Sequence, residues 1–442
     1  MVVHKKYHME IWSKYNFLFK TKIDEYYLYN AMTNSFLKIN YELYIQLSEI
    51  KLGKLELSLL DDTTIKTLKK ARAITTKEIE LQYIAKQKLL YYKSNLEVSY
   101  PKLVICPTSA CNFECTYCFE DIPNANTMSS SIQSQLLKFI NSFEKKQVAI
   151  KWFGGEPLLS INTIKDLLDG IKSNDIEIIH NSIITNGYLI NKEICHFFNK
   201  YNFNSIQITF DGMELTHNNK RVHKKGYETF NKILSNVDLL NQICPQIKIN
   251  IRFNVDKDNA MEYIEFHKKY SGRWNKKVKI YPAFIKDYTG NCVCDCLDTK
   301  DKEYEFISSL AQNNVSYNYY PSLKNGACMA NNLYTYIVGP KGELYKCMAD
   351  FGIEDRIIGN ISSEKGTNDG VVLNYLIRHN KYEDPECLEC NIFPICTGGC
   401  SSERMHLAED NSIQKENKLC NIRKKFLSQL LELHIPRAKT QK

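Results

Sequence analysis

The spacing of apolar and polar positions changes character three times along the 442 residues. Near the start, Glu25–Asn30 and Ser35–Ile39 are apolar-rich runs separated by Ala31-Met32-Thr33-Asn34, a spacing that predicts a β-hairpin. Helical patterns follow over Tyr41–Ile50 and Asp62–Arg72, so residues 1–95 are expected to form a small α+β module. From Lys102 the pattern alternates. Apolar, β-branched runs occur at Leu103–Cys106, Val148–Phe153, Ile176–Thr185, Ser205–Phe210, Ile247–Val255 and Val278–Phe284. Helical periods lie between them, over Ser131–Phe143, Ile161–Ile171, Asn191–Asn199, Gly226–Leu240 and Ala260–Tyr270. Six strands alternating with five helices predict an α/β fold, a parallel sheet or partial barrel over residues 100–290. In such folds the chemistry sits in the loops at the strands' C-terminal ends. After about Cys292 the alternation stops. Residues 291–325 read as a linker, 326–425 as a loop-rich domain, and 426–442 as the end of a helix (pattern Arg423–His434) with a basic tail.

Composition narrows the class. With 43% hydrophobic residues the chain has ample material for a core, which excludes a disordered protein. The net charge of +8 comes mostly from dispersed lysines, without an arginine-rich block or basic–aromatic stripe, so no nucleic-acid partner is expected. No window approaches the roughly eighteen apolar residues of a membrane span, and nothing behind Met1–Lys6 resembles a signal peptide. A cytoplasmic protein without a membrane partner is the expectation. Sixteen cysteines then become the informative feature: none precedes Cys106, and ten follow residue 291. In a reducing compartment such clusters read as metal ligands or redox groups before disulfides. The loop-rich third, poor in core periodicity, also needs the order that metal ligation supplies.

Directly after the first predicted strand comes Cys111-Asn112-Phe113-Glu114-Cys115-Thr116-Tyr117-Cys118, a CxxxCxxC triplet. Three thiolates on one loop can hold three irons of a [4Fe–4S] cluster and leave the fourth iron open to a small chelator. A zinc site is the alternative, but closed structural zinc takes four ligands and no histidine lies nearby. Gly154-Gly155-Glu156-Pro157 follows the second strand; its glycines let backbone approach a ligand, and Glu156 can accept from an ammonium. Together with the aromatic Tyr117, these motifs resemble the signature of the radical S-adenosylmethionine (SAM) superfamily. The resemblance implies a partial (β/α)6 barrel whose first cluster is ligated by Cys111, Cys115 and Cys118 and binds S-adenosylmethionine. Further family-like positions follow the later strands: Thr185-Asn186-Gly187 resembles the family's TNG, and Gln207-Ile208-Thr209-Phe210-Asp211-Gly212 the stretch of its sulfatase-maturing branch. Cofactor contacts are thereby implied for Tyr117, Gly154, Gly155, Glu156, Asn186, Thr209, Arg221, Arg252 and Asn254.

The last third repeats a longer pattern. Cys328-x13-Gly342-x4-Cys347 is followed by Cys387-x2-Cys390-x5-Cys396-x3-Cys400 and then Cys420. Seven cysteines in this order resemble the SPASM domain, which implies two auxiliary [4Fe–4S] clusters, three clusters in all; paired zinc knuckles are the alternative. The resemblance assigns Cys387, Cys390, Cys396 and Cys420 to the outer cluster, and Cys328, Cys347 and Cys400 to the inner one. Sulfatase-maturing relatives supply a further inner ligand where this chain has Ser322, which leaves that cluster either open to a substrate thiol or completed from Cys292-Val293-Cys294-Asp295-Cys296. That CxCxC run reads equally as three incidental surface thiols. Cys106, Cys195 and Cys244 fall in strand or helix patterns and read as small buried residues.

The resemblance implies reductive cleavage of S-adenosylmethionine to a 5′-deoxyadenosyl radical that abstracts a substrate hydrogen, with the protein supplying position and dryness. A ribosomally synthesised precursor peptide is the expected substrate, with a flavodoxin or ferredoxin as electron donor and residues 1–95 a possible leader-peptide recognition domain. Thioether formation is the leading expectation. Carbon–carbon crosslinking and formylglycine formation on a sulfatase are the alternatives, and a non-catalytic iron–sulfur electron carrier is the reading from another class. In the formylglycine branch an aspartate just after the Cys347 position acts as base; the offset Asp350 is the candidate here.

Overall fold

A computed structural model of the chain describes residues 9–97, 100–118, 125–285, 299–324, 326, 328–362, 368–409 and 419–440. They belong to two units: Met1–Glu97 with Ser316–Cys328 and Ile377–Lys442, and Val98–Val315 with Met329–Leu376. Cys292, Cys294 and Cys296 lie outside the described residues.

The first unit opens with β1 (Glu10–Trp12), β2 (Asn16–Lys20), β3 (Tyr26–Asn30), β4 (Ser35–Ile39), α1 (Tyr41–Lys51), α2 (Asp62–Lys70), β5 (Ile74–Thr76) and α3 (Lys77–Leu96). The hairpin forms as its spacing predicts, pairing Tyr26 with Ile39 and Asn30 with Ser35. Asn34 takes the left-handed conformation of its turn, φ +56°, which asparagine tolerates. Each helix begins on a side chain able to accept its first free N–H groups: Asn40 from Leu43 (2.9 Å), Asp61 from Thr63 and Thr64 (3.0 and 2.9 Å), Thr76 from Ile79 (3.3 Å). One core joins the two ends of the chain within this unit. Tyr15, Phe19, Tyr27, Tyr29 and Tyr91 pack with Tyr382, Ile392, Phe393, Ile395, Leu427 and Leu431.

The second unit is a nine-stranded open sheet. Its six parallel strands are β6 (Lys102–Ile105), β7 (Gln147–Trp152), β8 (Glu177–Thr185), β9 (Ser205–Phe210), β10 (Lys248–Val255) and β11 (Val278–Phe284), each beside its sequence neighbour. Helices α4 (Ser130–Asn141), α5 (Ile161–Ser173), α6 (Lys192–Lys200), α7 (Glu214–Lys220), α8 (Phe230–Ile243) and α9 (Ala260–Tyr270) connect them. Sequential order of parallel strands is what successive right-handed βα crossovers produce. The sheet extends past β6 through β12 (Thr335–Val338), parallel to it, then β13 (Glu343–Tyr345) and β14 (Gly359–Asn360) in antiparallel pairing. The expected α/β architecture is thus present as a partial barrel that does not close, with three further strands on the β6 edge.

Candidate functional site

The turns after β6, β7, β8 and β9 and the end of β10 all contribute to one neighbourhood. Gly154 adopts φ +121°, and a Cβ there would stand 2.4 Å from Cys106 Sγ and 2.5 Å from the Thr108 carbonyl oxygen. A Cβ on Gly155 would meet the carbonyl oxygens of Ala110 and Ser109 at 2.3 and 2.5 Å. Only glycine allows the turn after β7 to lie this close to the loop after β6. The N–H groups of Gly155 and Glu156 use that approach, donating to Thr108 and Ala110 at 3.2 and 2.8 Å. Residues 112–116 then run beside 220–224, with Lys224 N–H donating to the Asn112 carbonyl, Glu114 N–H to Val222 and Thr116 N–H to Lys220. The CxxxCxxC loop is therefore fixed by backbone contacts on two sides.

Glu156 is fully buried. Its Oε1 accepts from Leu158 N–H (3.0 Å) and Thr185 Oγ1 (2.7 Å), and its Oε2 from Asn186 N–H (2.7 Å). Burial pushes this carboxyl above its usual range, and the three donors oppose that rise. The carboxylate ties the turn after β7 to the turn after β8. Asn186 in turn donates from Nδ2 to Asn112 Oδ1 (2.8 Å), which brings the third turn onto the cysteine loop. Burial likewise pushes the Cys111 thiol up to about 12, so holding iron here displaces a proton.

Tyr117 carries the next set of contacts. Its hydroxyl donates to the Asp211 carboxylate and accepts from Arg221 Nη1 (2.7 Å) and Asn254 Nδ2 (3.1 Å). Arg252 Nε donates to Asn254 Oδ1 at 2.7 Å, and Thr209 pairs with Arg252 across β9 and β10. The Arg221 guanidinium lies 5.7 Å from the Phe113 ring centroid, within cation–π range. Burial works against its charge, but Cys115, Tyr117 and Asp211 outweigh it and hold the guanidinium protonated. Arg221 Nε is buried without a partner among the described residues. A buried, unpaired donor near the Cys111 and Cys115 thiols suits a ligand with a polar, anionic end. Asp211, a site residue that the motifs do not single out, is marked by its place directly after β9.

The C-terminal cysteines divide between the units. Cys387, Cys390, Cys396 and Cys420 line one partly open cavity in the first unit, with Lys381, Arg404 and Lys424 among its other walls. Among the described residues no three His, Cys, Asp or Glu side chains converge on a single metal ion. Four thiols around one cavity match a multi-iron cluster instead, where each cysteine takes its own iron. Cys328 and Cys400 belong to the first unit and Cys347 to the second. Asp350, three residues past Cys347, is buried and accepts from Tyr375 Oη at 2.7 Å. Sequence reasoning missed Lys381 and Arg404, which belong to no motif.

Similarity to known proteins agrees with this geometry. Residues 105–266 match the model of the Radical SAM superfamily. The cysteine-type anaerobic sulfatase-maturating enzyme of Clostridium novyi (strain NT) is 25% identical over 67% of this chain and 87% of its own length. The radical SAM cyclopropyl synthase TigE of Paramaledivibacter caminithermalis is 22% identical over 95% of both. Among solved structures, native anSMEcpe with bound AdoMet and Cp18Cys peptide superposes with a TM-score of 0.58 at 21% identity, over 77% of this chain and 99% of that one. Streptococcus suis SuiB bound to precursor peptide SuiA gives 0.51 at 17% identity, over 94% and 99%. Residues 105–266 are thus a radical SAM domain, the chemistry of whose superfamily rests on a [4Fe–4S] cluster and S-adenosylmethionine, and the chain that carries it is an enzyme.

Proposed function

We propose that this enzyme matures a ribosomally synthesised precursor peptide, with a thioether between a cysteine sulfur and a carbon as the bond formed. The carrying observation is that the turns after β7, β8 and β9 and the end of β10 meet on the CxxxCxxC loop while four further thiols share a separate cavity. Cys111, Cys115 and Cys118 would hold the first cluster. The backbone of Gly154 and Gly155, with Glu156, Asn186, Thr209, Arg221, Arg252 and Asn254, would receive S-adenosylmethionine. When bound, that pair supplies the radical that removes a substrate hydrogen. The chain's own part is placement: Glu156 locks two turns together, and Tyr117 fixes the cysteine loop to Asp211, Arg221 and Asn254. Cys387, Cys390, Cys396 and Cys420 would hold an outer cluster, and Cys328, Cys347 and Cys400 an inner one, giving three in all, with a flavodoxin or ferredoxin as reductant. The reaction and its donors belong to the cytoplasm.

The peptide reading draws on relatives that span nearly the whole chain, TigE and SuiB, and on residues 1–95 as the segment that would take the leader. Thioether chemistry is favoured because Ser322 leaves the inner set one thiol short, room for a substrate cysteine. Carbon–carbon bond formation is the second reading, favoured by the coverage of TigE. The test is anaerobic reconstitution with S-adenosylmethionine, dithionite and the cysteine-bearing peptide encoded beside the gene. The expected result is 5′-deoxyadenosine above a Cys118→Ala control and a peptide lighter by two hydrogens that has lost one free thiol. No 5′-deoxyadenosine overturns the enzyme assignment. The same mass loss with every thiol intact selects the carbon–carbon reading, and an aldehyde product selects formylglycine formation with Asp350 as its candidate base.

A further inference from the structure

The cavity of Cys387, Cys390, Cys396 and Cys420 is walled by two buried cations that play no part in the reading above. Lys381 Nζ donates to the carbonyls of Lys324 (3.2 Å), Phe393 (3.0 Å) and Cys396 (2.7 Å). Three acceptors occupy all three protons of an ammonium, so this arrangement needs the charged form. The same Nζ stands 4.3 Å from the Phe393 ring centroid. Gly398 lies against its stem: a Cβ there would stand 2.7 Å from Lys381 Cβ.

Arg404 completes the pair. Its Nε donates to the Gly398 carbonyl (2.6 Å), its Nη1 to Asp384 Oδ2 (2.8 Å) and its Nη2 to Cys387 Sγ (3.1 Å). Asp384 also accepts from the N–H groups of Glu386 and Cys387, which fixes the carboxylate and, through it, the guanidinium. Buried charge is costly unless compensated. One carboxylate compensates one of these two cations, while neutral thiols would compensate neither. A cluster on four thiolates carries net negative charge, which grows by one when it is reduced.

We propose that Lys381 and Arg404 set the reduction potential of a four-iron cluster held by Cys387, Cys390, Cys396 and Cys420, raising it by stabilising the more negative, reduced state. This rests on the cluster reading of those four thiols. Cluster potentials respond to net charge and to hydrogen bonds on the ligating sulfurs, and both act strongly in a buried site. The two residues are positioning residues: they touch the ligand shell, not the reacting peptide.

The experiment uses the full chain carrying Cys111→Ala, Cys115→Ala and Cys118→Ala, which removes the first cluster. It is reconstituted anaerobically, assayed for iron and sulfide, and titrated potentiometrically by electron paramagnetic resonance. The signal lost on adding Cys390→Ala and Cys396→Ala is the outer cluster. If those two changes remove neither iron nor signal, the cluster reading fails on its own account. Lys381→Met should move the outer cluster's oxidised-to-reduced ratio about tenfold toward oxidised at the parent's midpoint, which is ~59 mV for one electron. Arg404→Lys keeps the charge but loses the reach to Cys387 Sγ, so a smaller shift in the same direction is expected. Unchanged midpoints with intact iron in both variants overturn the proposal. If Lys381→Met fails to retain iron, the Arg404→Lys midpoint decides alone: a downward shift supports the proposal and none overturns it.

Discussion

At Glu156 a motif residue has a second role that its motif does not disclose. The sequence nominates it to receive a ligand's ammonium; the structure shows both oxygens already accepting, from Leu158, Thr185 and Asn186. In Glu156→Gln the side-chain amide nitrogen, itself a donor, must face at least one of these donors, leaving a buried N–H without an acceptor. That costs about 1–3 kcal/mol. For a unit of this size it corresponds to a melting point lower by roughly 2–10 °C, with weaker S-adenosylmethionine retention in equilibrium dialysis. An unchanged melting point would mean the carboxylate does not join the two turns. Tyr117 was legible because it sits inside the cysteine motif. Lys381 and Arg404 were not, because their partners are backbone carbonyls 6 to 57 residues away in sequence, the Cys387 thiol and the Asp384 carboxylate, which form no local motif.

Element by element, legibility followed how each segment is buried. The six parallel strands read as apolar runs because buried apolar positions recur along most of them, as Val148, Ile150 and Trp152 do in β7, and two of them, Ser205–Phe210 and Val278–Phe284, both begin and end where the pattern does. The twenty-residue α3 was invisible for the opposite reason. Ile79, Tyr83, Ile84 and Tyr91 pack on the core, but Glu80, Gln87 and Asn95 are buried as well while Leu81, Leu89 and Leu90 are exposed, so polar and apolar positions do not separate into a clear stripe. Helix α7 has only seven residues and β12 to β14 at most four, too short for a period to show. The turn between β7 and α5 makes its own prediction. Gly155→Ala drives a Cβ into the Ala110 and Ser109 carbonyls, rigid backbone that has to move and carry Cys111 with it. Iron content should fall by the equivalent of one cluster while the C-terminal signals persist in electron paramagnetic resonance. Gly272→Ala, where a Cβ would meet nothing within 4 Å, is the control and should match the parent. Full iron occupancy in Gly155→Ala would refute the close approach as the reason for glycine.

At the scale of the molecule, the cysteine-rich C-terminal segment does not build its own core. Tyr382, Ile392, Phe393, Ile395, Leu427, Leu431 and Ile435 are buried against Tyr15, Phe19, Tyr27, Tyr29, Ala31, Met32 and Tyr91. Polar ties run the same way: Lys14 Nζ donates to the Leu388 carbonyl (2.9 Å), Tyr92 Oη to Glu383 (2.6 Å), and Asn34 Nδ2 to the Pro321 carbonyl (3.1 Å). Composition alone separates the two segments, since one lacks cysteine and the other is rich in it, so their shared core is a long-range fact that no local period carries. Removing residues 1–97 would expose half of that core, at about 1.5–3 kcal/mol for each large apolar side chain returned to water. Over the seven side chains left behind that is about 10–21 kcal/mol, as large as the 5–15 kcal/mol by which a whole domain is stable. The truncated chain should therefore lose the outer cavity's iron and show rapid proteolysis within 377–440, even though every cysteine remains. A module serving only to grip a leader peptide would leave both readouts unchanged when deleted. Iron assay and limited proteolysis on the truncated and full chains thus separate a structural role for the first ninety-seven residues from a purely recognitional one.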